Sequence, residues 1–166
     1  MDEEIVYPTT PGKLIMVRGH AGSGKSTYAQ TLMLHLTDMS DRLNVAVVEA
    51  DQWRQPQKHM PYLYDPNTDK YAHAWTAMES LRWLQQGWTV IVANTFVKRE
   101  YIDVLAKVTG WPDMIIHCDW DYMNTHGVPP EVVQRMKDDY EPIEGEIEAQ
   151  LTPAKEAANL LSEEYL

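Results

Sequence analysis

The sequence has one cysteine and one phenylalanine in 166 residues. A single cysteine, Cys118, can form no internal disulfide, which removes the disulfide-stapled class. It lies in the apolar run Met114-Ile115-Ile116-His117-Cys118 and reads as a buried strand residue rather than a nucleophile. No stretch approaches the ~18 apolar residues that a membrane-spanning helix needs. The start, Met1-Asp2-Glu3-Glu4, is acidic and carries no signal-peptide pattern. A cytoplasmic protein with no membrane partner is therefore expected. Positive charge is scarce too: 14 Lys and Arg stand against 25 Asp and Glu, a net charge of −11. That argues against a broad nucleic-acid surface. The excess is local, however. Asp138 to Leu166 holds nine acidic residues and one basic, while Met1 to Lys137 holds 16 acidic and 13 basic. The body is nearly balanced, but no basic stripe is visible in it. Internal repeats and low-complexity segments are absent.

The most informative stretch that is present is Lys13 to Ala29. Leu14 to Val17 reads as a buried strand, and a helical pattern begins at Lys25. Between them, Gly19-His20-Ala21-Gly22-Ser23-Gly24-Lys25-Ser26-Thr27 contains the spacing Gly-x4-Gly-Lys-Ser. This is a phosphate-binding P-loop pattern in the strand-to-helix context that gives it meaning. Glycines let successive backbone N–H groups curl toward phosphate oxygens. The helix N-terminus adds its partial positive charge. Lys25 can reach the β- and γ-phosphates, and the Ser26 hydroxyl can ligate Mg²⁺. ATP with Mg²⁺ is the expected ligand pair. The alternative is a glycine-rich turn that binds nothing.

The rest of the chain alternates strand and helix. Residues 1–12 read as an extended lead-in, and the first helix runs to about Thr37 with Leu32, Met33, Leu34 and Leu36 as a broad apolar face. Val45 to Val48 is a second strand with Asp51 at its carboxyl end. Gln52 to Asp69 reads as a long loop, which in a compact domain is often functional. A helix over Asp69 to Gln86 carries Tyr71, Trp75, Met78, Leu81 and Trp83, and Gly87 suits its C-cap. Trp88 to Ala93 is a third strand ending in Asn94-Thr95, Lys98 to Thr109 a helix, Met114 to Cys118 a fourth strand. Pro130 to Tyr140 reads as a helix with proline at its start, and Ala149 to Leu166 as an amphipathic helix. The expected fold is α/β: a P-loop NTPase three-layer α/β/α sandwich on a parallel sheet of four or five strands. The expected division is a lead-in at 1–12, a kinase domain at 13–141, and an acidic helical tail at 142–166 packed on it.

Ligands of open α/β sheets bind at the carboxyl edge. Four segments converge there: the P-loop, Asp51 to Arg54, Asn94-Thr95, and Asp119 to His126. Phosphoryl transfer needs a group to take the proton of an attacking hydroxyl and cations to offset phosphate charge. Asp51 is the base candidate, with an N-cap aspartate as its alternative. Arg54 can bind an acceptor phosphate or carboxylate, and otherwise reads as a solvated loop arginine. Asn94 and Thr95 are placed to touch substrate. Trp53, Tyr62, Tyr64 and Trp75 can stack on a base or simply pack. His59, His73 and His117 show no metal-ligand spacing.

Taken together, Gly19 to Thr27, Asp51-Gln52-Trp53-Arg54, Val92-Ala93-Asn94-Thr95 and Asn124-Thr125-His126-Gly127-Val128-Pro129 resemble the polynucleotide kinase branch of P-loop kinases. The resemblance covers about Lys13 to Glu141. It implies that Asp51 is the general base and that Arg54 holds the phosphate next to the acceptor hydroxyl. Related phage enzymes phosphorylate a hydroxymethyl group on modified uracil in DNA. Two positions depart from the pattern. Ala93-Asn94-Thr95 replaces a usual Asp-Asn-Thr, and Met123 stands where arginine usually precedes the Asn-x-His-Gly stretch. Candidates for the missing cation are Arg135, protonated His126, Arg18, Lys98 and Arg99. The implied function is ATP-dependent phosphorylation of a hydroxyl on a nucleic acid or nucleotide. A small-metabolite or antibiotic kinase is the same-class alternative, and a nucleotide-binding interaction module with the acidic tail as its docking segment is the alternative of another class.

Overall fold

Continuous apolar runs of the kind a doubly covered sheet requires form the strands. In the structure, a computed structural model that describes residues 4–55, 62, 65–122 and 126–150, the elements follow in alternation. They are β1 (Lys13–Arg18), α1 (Lys25–Met39), β2 (Val45–Glu49), α2 (Ala50–Arg54), α3 (Asp69–Gln85), β3 (Thr89–Asn94), α4 (Arg99–Thr109), β4 (Met114–His117), α5 (Pro130–Asp139) and β5 (Ile147–Glu148). The five strands make one sheet in the order β2-β3-β1-β4-β5, and every pairing is parallel. The three-layer P-loop NTPase architecture expected from the sequence is what the chain adopts.

Period-two alternation sorts each strand between the two covering layers. Ile15 and Val17 of β1, with Ile91 of β3 and Ile116 of β4, pack on Tyr28, Ala29, Leu32 and Leu36 of α1. Leu14 and Met16, with Val90 and Val92, pack on Ala77 and Leu84 of α3 and on Ile102 and Leu105 of α4. Most of these side chains are fully buried, each worth about 1.5–3 kcal/mol relative to exposure. The register puts Arg18 opposite both Asn94 and His117, and Glu49 opposite Ala93. The carboxyl ends of four strands therefore lie level, along one edge.

Several expectations are corrected here. On α1 the buried pair is Leu32 and Leu36, four residues apart, while Leu34 is 57% exposed on the opposite face. On α3 the sheet-facing residues are Ala72, Thr76, Ala77 and Ser80, with Leu84, rather than the large aromatics. Small side chains let the helix lie close to β3, and Tyr71 and Met78 turn outward. The segment read as a loop from Gln52 begins as helix α2. Glu49 is its N-cap, and its backbone N–H donates to Gln52 Oε1 at 3.1 Å in a reciprocal capping box. Asp51 sits inside this helix and is not its cap. A 3-10 turn, Pro66–Thr68, leads into α3, started by the Asp65 carboxylate accepting from the Asn67 N–H.

The first residues of the acidic segment 142–166, ahead of the expected helix, supply a fifth strand. Ile147 and Glu148 pair with Ile116 and His117. The cause is Arg18, fully buried at the end of β1. It donates to Phe96 O, Val97 O, Glu141 O and the Glu146 carboxylate, and lies 4.1 Å over the Tyr140 ring. Ile143 plugs into the core beside it. Residues 140–148 thus form a strap across the sheet. Residues 151–166, and with them most of the expected last helix, lie outside the described residues, as do His59, Tyr64 and Met123 to Thr125.

Candidate active site

Gly24 opens α1 in the left-handed region at φ 91°, and a Cβ there would lie 2.9 Å from the Tyr122 ring. At Gly19 a Cβ would lie 2.3 Å from Cys118 O. The two glycines therefore let the loop pass beneath the Cys118–Tyr122 segment. The loop is held shut by short bonds. Gly19 N–H donates to Thr95 O, Ser23 N–H to His20 O, and Tyr122 N–H to Gly22 O at 2.8 Å. The Lys25 ammonium donates to His20 O at 2.9 Å. Burial pulls the Lys25 pKa down, against the opposing fields of Asp51, Cys118 and Glu49. His20 Nε2 faces the Asp119 and Asp121 carboxylates at 3.6 and 3.7 Å, and Lys137 of α5 takes Asp121 at 2.6 Å.

Beside the loop, Ser26 Oγ donates to Glu49 Oε1 at 2.6 Å. Glu49 is the last residue of β2, and burial raises its pKa, with Asp51 pushing the same way and the Ser26 hydroxyl and Lys25 opposing. Two oxygen donors at the end of β2 and the start of α1 suit a hard divalent cation.

Asp51 stands one helical step beyond. Its Oδ1 accepts from the Tyr62 hydroxyl at 2.8 Å and from Arg54 Nη1 at 3.3 Å, and its Oδ2 lies 3.4 Å from His126 Nε2. Tyr62 stacks on His126 with ring centres 4.0 Å apart. Burial, reinforced by the Asp51 charge, raises the Tyr62 pKa far enough that it remains a phenol donor. Arg54 is 7% exposed and its second amino group bonds Asp69 of α3. Burial works against the Arg54 charge, and Tyr62, Asp69 and Asp51 more than offset it.

Asp69 is held in turn by His73 Nε2 at 3.1 Å, and His73 Nδ1 lies 3.3 Å from Asn94 Nδ2. Asn94 Oδ1 accepts the Thr95 N–H at 2.9 Å. A backbone N–H can only donate, which fixes the amide with its NH₂ toward His73. His73 Nδ1 then accepts, and Nε2–H donates to Asp69. The expected site residues Lys25, Ser26, Asp51, Arg54, Asn94 and Thr95 are thus brought to one edge. Arg54 is spent on two carboxylates, and the Asn94 side chain is spent on His73.

Of the cation candidates, Arg18 is turned inward as described. Arg99 pairs with Asp103 at 3.9 Å and lies 5.0 Å over Trp111, and Arg135 is exposed on α5. His126 is the candidate that reaches Asp51. Trp75 packs against the core, while Trp53 is 36% exposed. Glu49, Asp69 and His73 were missed as site residues. The signals were present: Glu49 ends the same strand two residues before Asp51, and Asp69 and His73 stand four apart on one helix face. A cavity of 310 Å³ opens on the far side of the P-loop, between Ala21, Tyr122 and the Val133, Gln134 and Lys137 face of α5. His117, Glu146 and Glu148 bring ligand-type atoms within 4.8 Å of one another. Glu146 is bound by Arg18 and Tyr140, and Glu148 by His117, so the acidic members of this knot already have protein partners.

A family model described as an AAA domain matches residues 14–143. The fold is also that of several solved kinases. A sugar kinase from Janibacter sp. HTCC2649 aligns with a TM-score of 0.61 at 22% identity, covering 93% of this chain and 97% of its own. A gluconokinase from Sinorhizobium meliloti 1021 gives 0.60 at 19%, covering 93% and 94%. The Mycobacterium tuberculosis APS kinase CysC, in complex with AMPPNP and APS, gives 0.60 at 15%, covering 93% and 97%. No curated protein matches by sequence. Among the described residues no helix is long and apolar enough to cross a membrane.

Proposed function

Because the chain belongs to the AAA domain family, with a P-loop kinase-like fold, we propose that it is a phosphotransferase passing the γ-phosphate of ATP to an alcohol. The observation that carries this reading is Asp51. Its carboxylate interacts with Lys25 and Glu49 while accepting from Tyr62 and Arg54, and a carboxylate so near the phosphate loop supports a general-base role.

Lys25 would leave His20 O for the β- and γ-phosphate oxygens. Ser26 and Glu49 supply oxygen donors of the right type for Mg²⁺, which when bound would offset phosphate charge. Asp51 would take the proton of the acceptor hydroxyl as its oxygen bonds to the γ-phosphorus and the bond to ADP breaks. His126 Nε2, 3.4 Å from Asp51 Oδ2, is placed to orient that carboxylate.

Resemblance around Asp51 and Arg54 supports a nucleic-acid or nucleotide acceptor. The Arg54 bonds to Asp51 and Asp69 support a small-molecule acceptor. The test is transfer from γ-labelled ATP to 5′-hydroxyl DNA and RNA, hydroxymethyluracil DNA, nucleosides and simple polyols. Asp51→Asn should lower the rate about 10²–10⁴-fold with ATP affinity within a few-fold of wild type. ATP binding without transfer to any alcohol would instead leave a nucleotide-binding interaction module.

A further inference from the structure

We propose that Asp69 is a selectivity residue of the acceptor site, and that by holding Arg54 it makes the site take uncharged polyhydroxy acceptors and refuse phosphorylated ones. This rests on the phosphotransferase reading above.

Three observations carry it. First, the Arg54 side chain is 7% exposed and its guanidinium is committed at both ends, Nη1 to Asp51 and Nη2 to Asp69. A phosphate on the acceptor would have to displace one of two carboxylates already paired in a half-buried site. Second, Asp69 is not free to swing away. His73 Nε2 holds its other oxygen, Asn94 holds His73, and the Thr95 N–H holds Asn94. Each donor in this line is assigned, and the line ends on β3, an interior strand of the sheet. Third, the charge balance on the acceptor side is negative. Asp51 and Asp69 flank the Arg54 guanidinium, with the His126 imidazole 3.4 Å from Asp51, while Lys25 and Glu49 belong to the nucleotide side. Like charge desolvated beside carboxylates is strongly disfavoured, whereas hydroxyl groups donate to carboxylate oxygens at no such cost. Asp51 and Asp69, 37% and 36% exposed, keep oxygen atoms within reach of such donors.

The experiment compares acceptors that differ only in a phosphate: a nucleoside with its 3′-phosphate, and sorbitol with sorbitol 6-phosphate. Wild type should favour the neutral member by about tenfold or more in kcat/KM, mainly through KM. Asp69→Asn, which keeps the shape and removes the charge, should shift that ratio about tenfold toward the phosphorylated member. His73→Ala should shift it in the same direction by less. A second readout needs no turnover. With a non-hydrolysable ATP analogue bound, a nucleoside 3′-phosphate titrated by calorimetry should bind Asp69→Asn measurably more tightly than wild type. A wild-type preference for the phosphorylated acceptor, or equal calorimetric affinity in the two proteins, overturns the proposal while leaving the kinase reading intact. Loss of binding of the ATP analogue to wild type would overturn that reading instead.

Discussion

At the scale of single residues, burial works against two charges that the site uses. The Lys25 pKa is depressed, chiefly by burial. A cation shifted this way gives stability that is lost as pH falls through the lowered value, so at neutral pH the buried ammonium is a cost. Lys25→Met should therefore abolish phosphate transfer and leave the melting temperature equal to or above that of wild type, as transfer assays beside thermal melting would show. Glu49 is shifted upward, again chiefly by burial. Its contribution to stability is fully present below the ordinary carboxylate pKa and lost as pH rises through the raised value. Melting followed across mildly acidic pH should show that fall in wild type and a flatter curve in Glu49→Gln. The same variant should need about tenfold more Mg²⁺ for half-maximal transfer, since one of two oxygen donors has lost its charge. Equal Mg²⁺ dependence would take Glu49 out of the metal's reach.

Elements are held in place by a few such residues, and Arg18 is the clearest case. Arg18→Ala would remove the donor that bonds the Phe96, Val97 and Glu141 carbonyls and pairs with the Glu146 carboxylate. Removing one partner of a buried charge typically costs about 3–5 kcal/mol. Chemical denaturation should show a loss of that order, and hydrogen exchange should show β5 and residues 140–148 opening first. Arg18→Lys should recover only part, since an ammonium cannot span carbonyls on two segments as the planar guanidinium does. This residue also shows where reading the sequence succeeds and stops. Strands β1 to β4 were legible because their apolar runs are continuous and bounded by the P-loop and by Gly87 and Gly110. Strand β5 was not, because two residues in an acidic stretch carry no period; they follow Glu146, which is held by a guanidinium 128 positions upstream. Helix α2 was hidden because its cap is a glutamate. In the site, Lys25, Ser26 and Asp51 were legible since one local motif or one strand end places each. The commitments of Arg54 and Asn94 were not, since Asp69 and His73 arrive from another element.

Across the whole molecule, a parallel sheet gathers the P-loop, Glu49, Asp51 and Asn94 along one edge, so nucleotide binding should stabilise the domain as a unit. Binding to the native state alone adds about 2.7 kcal/mol at a ligand concentration of about 100 Kd. ATP analogue with Mg²⁺ should raise the melting temperature of wild type and of Asp51→Asn alike, and should leave Lys25→Met nearly unmoved. A rise in Lys25→Met equal to wild type would detach the loop from the nucleotide. The strap across the sheet bears finally on how the chain is made. Arg18 sits on the central strand, yet its carbonyl partners lie 78 and 79 residues downstream, and Glu141 and Glu146 lie 123 and 128 downstream. At a synthesis rate of about 5–20 residues per second, the guanidinium waits roughly 6–26 s for the last of them. Until Glu141 and Glu146 emerge, Arg18 can bond only the Phe96 and Val97 carbonyls, so the carboxyl end of β1 should stay partly open to water. A nascent chain arrested before Glu141 should lack the strap that covers the end of β1, and limited proteolysis of such a stalled chain should cut it more readily than the finished one.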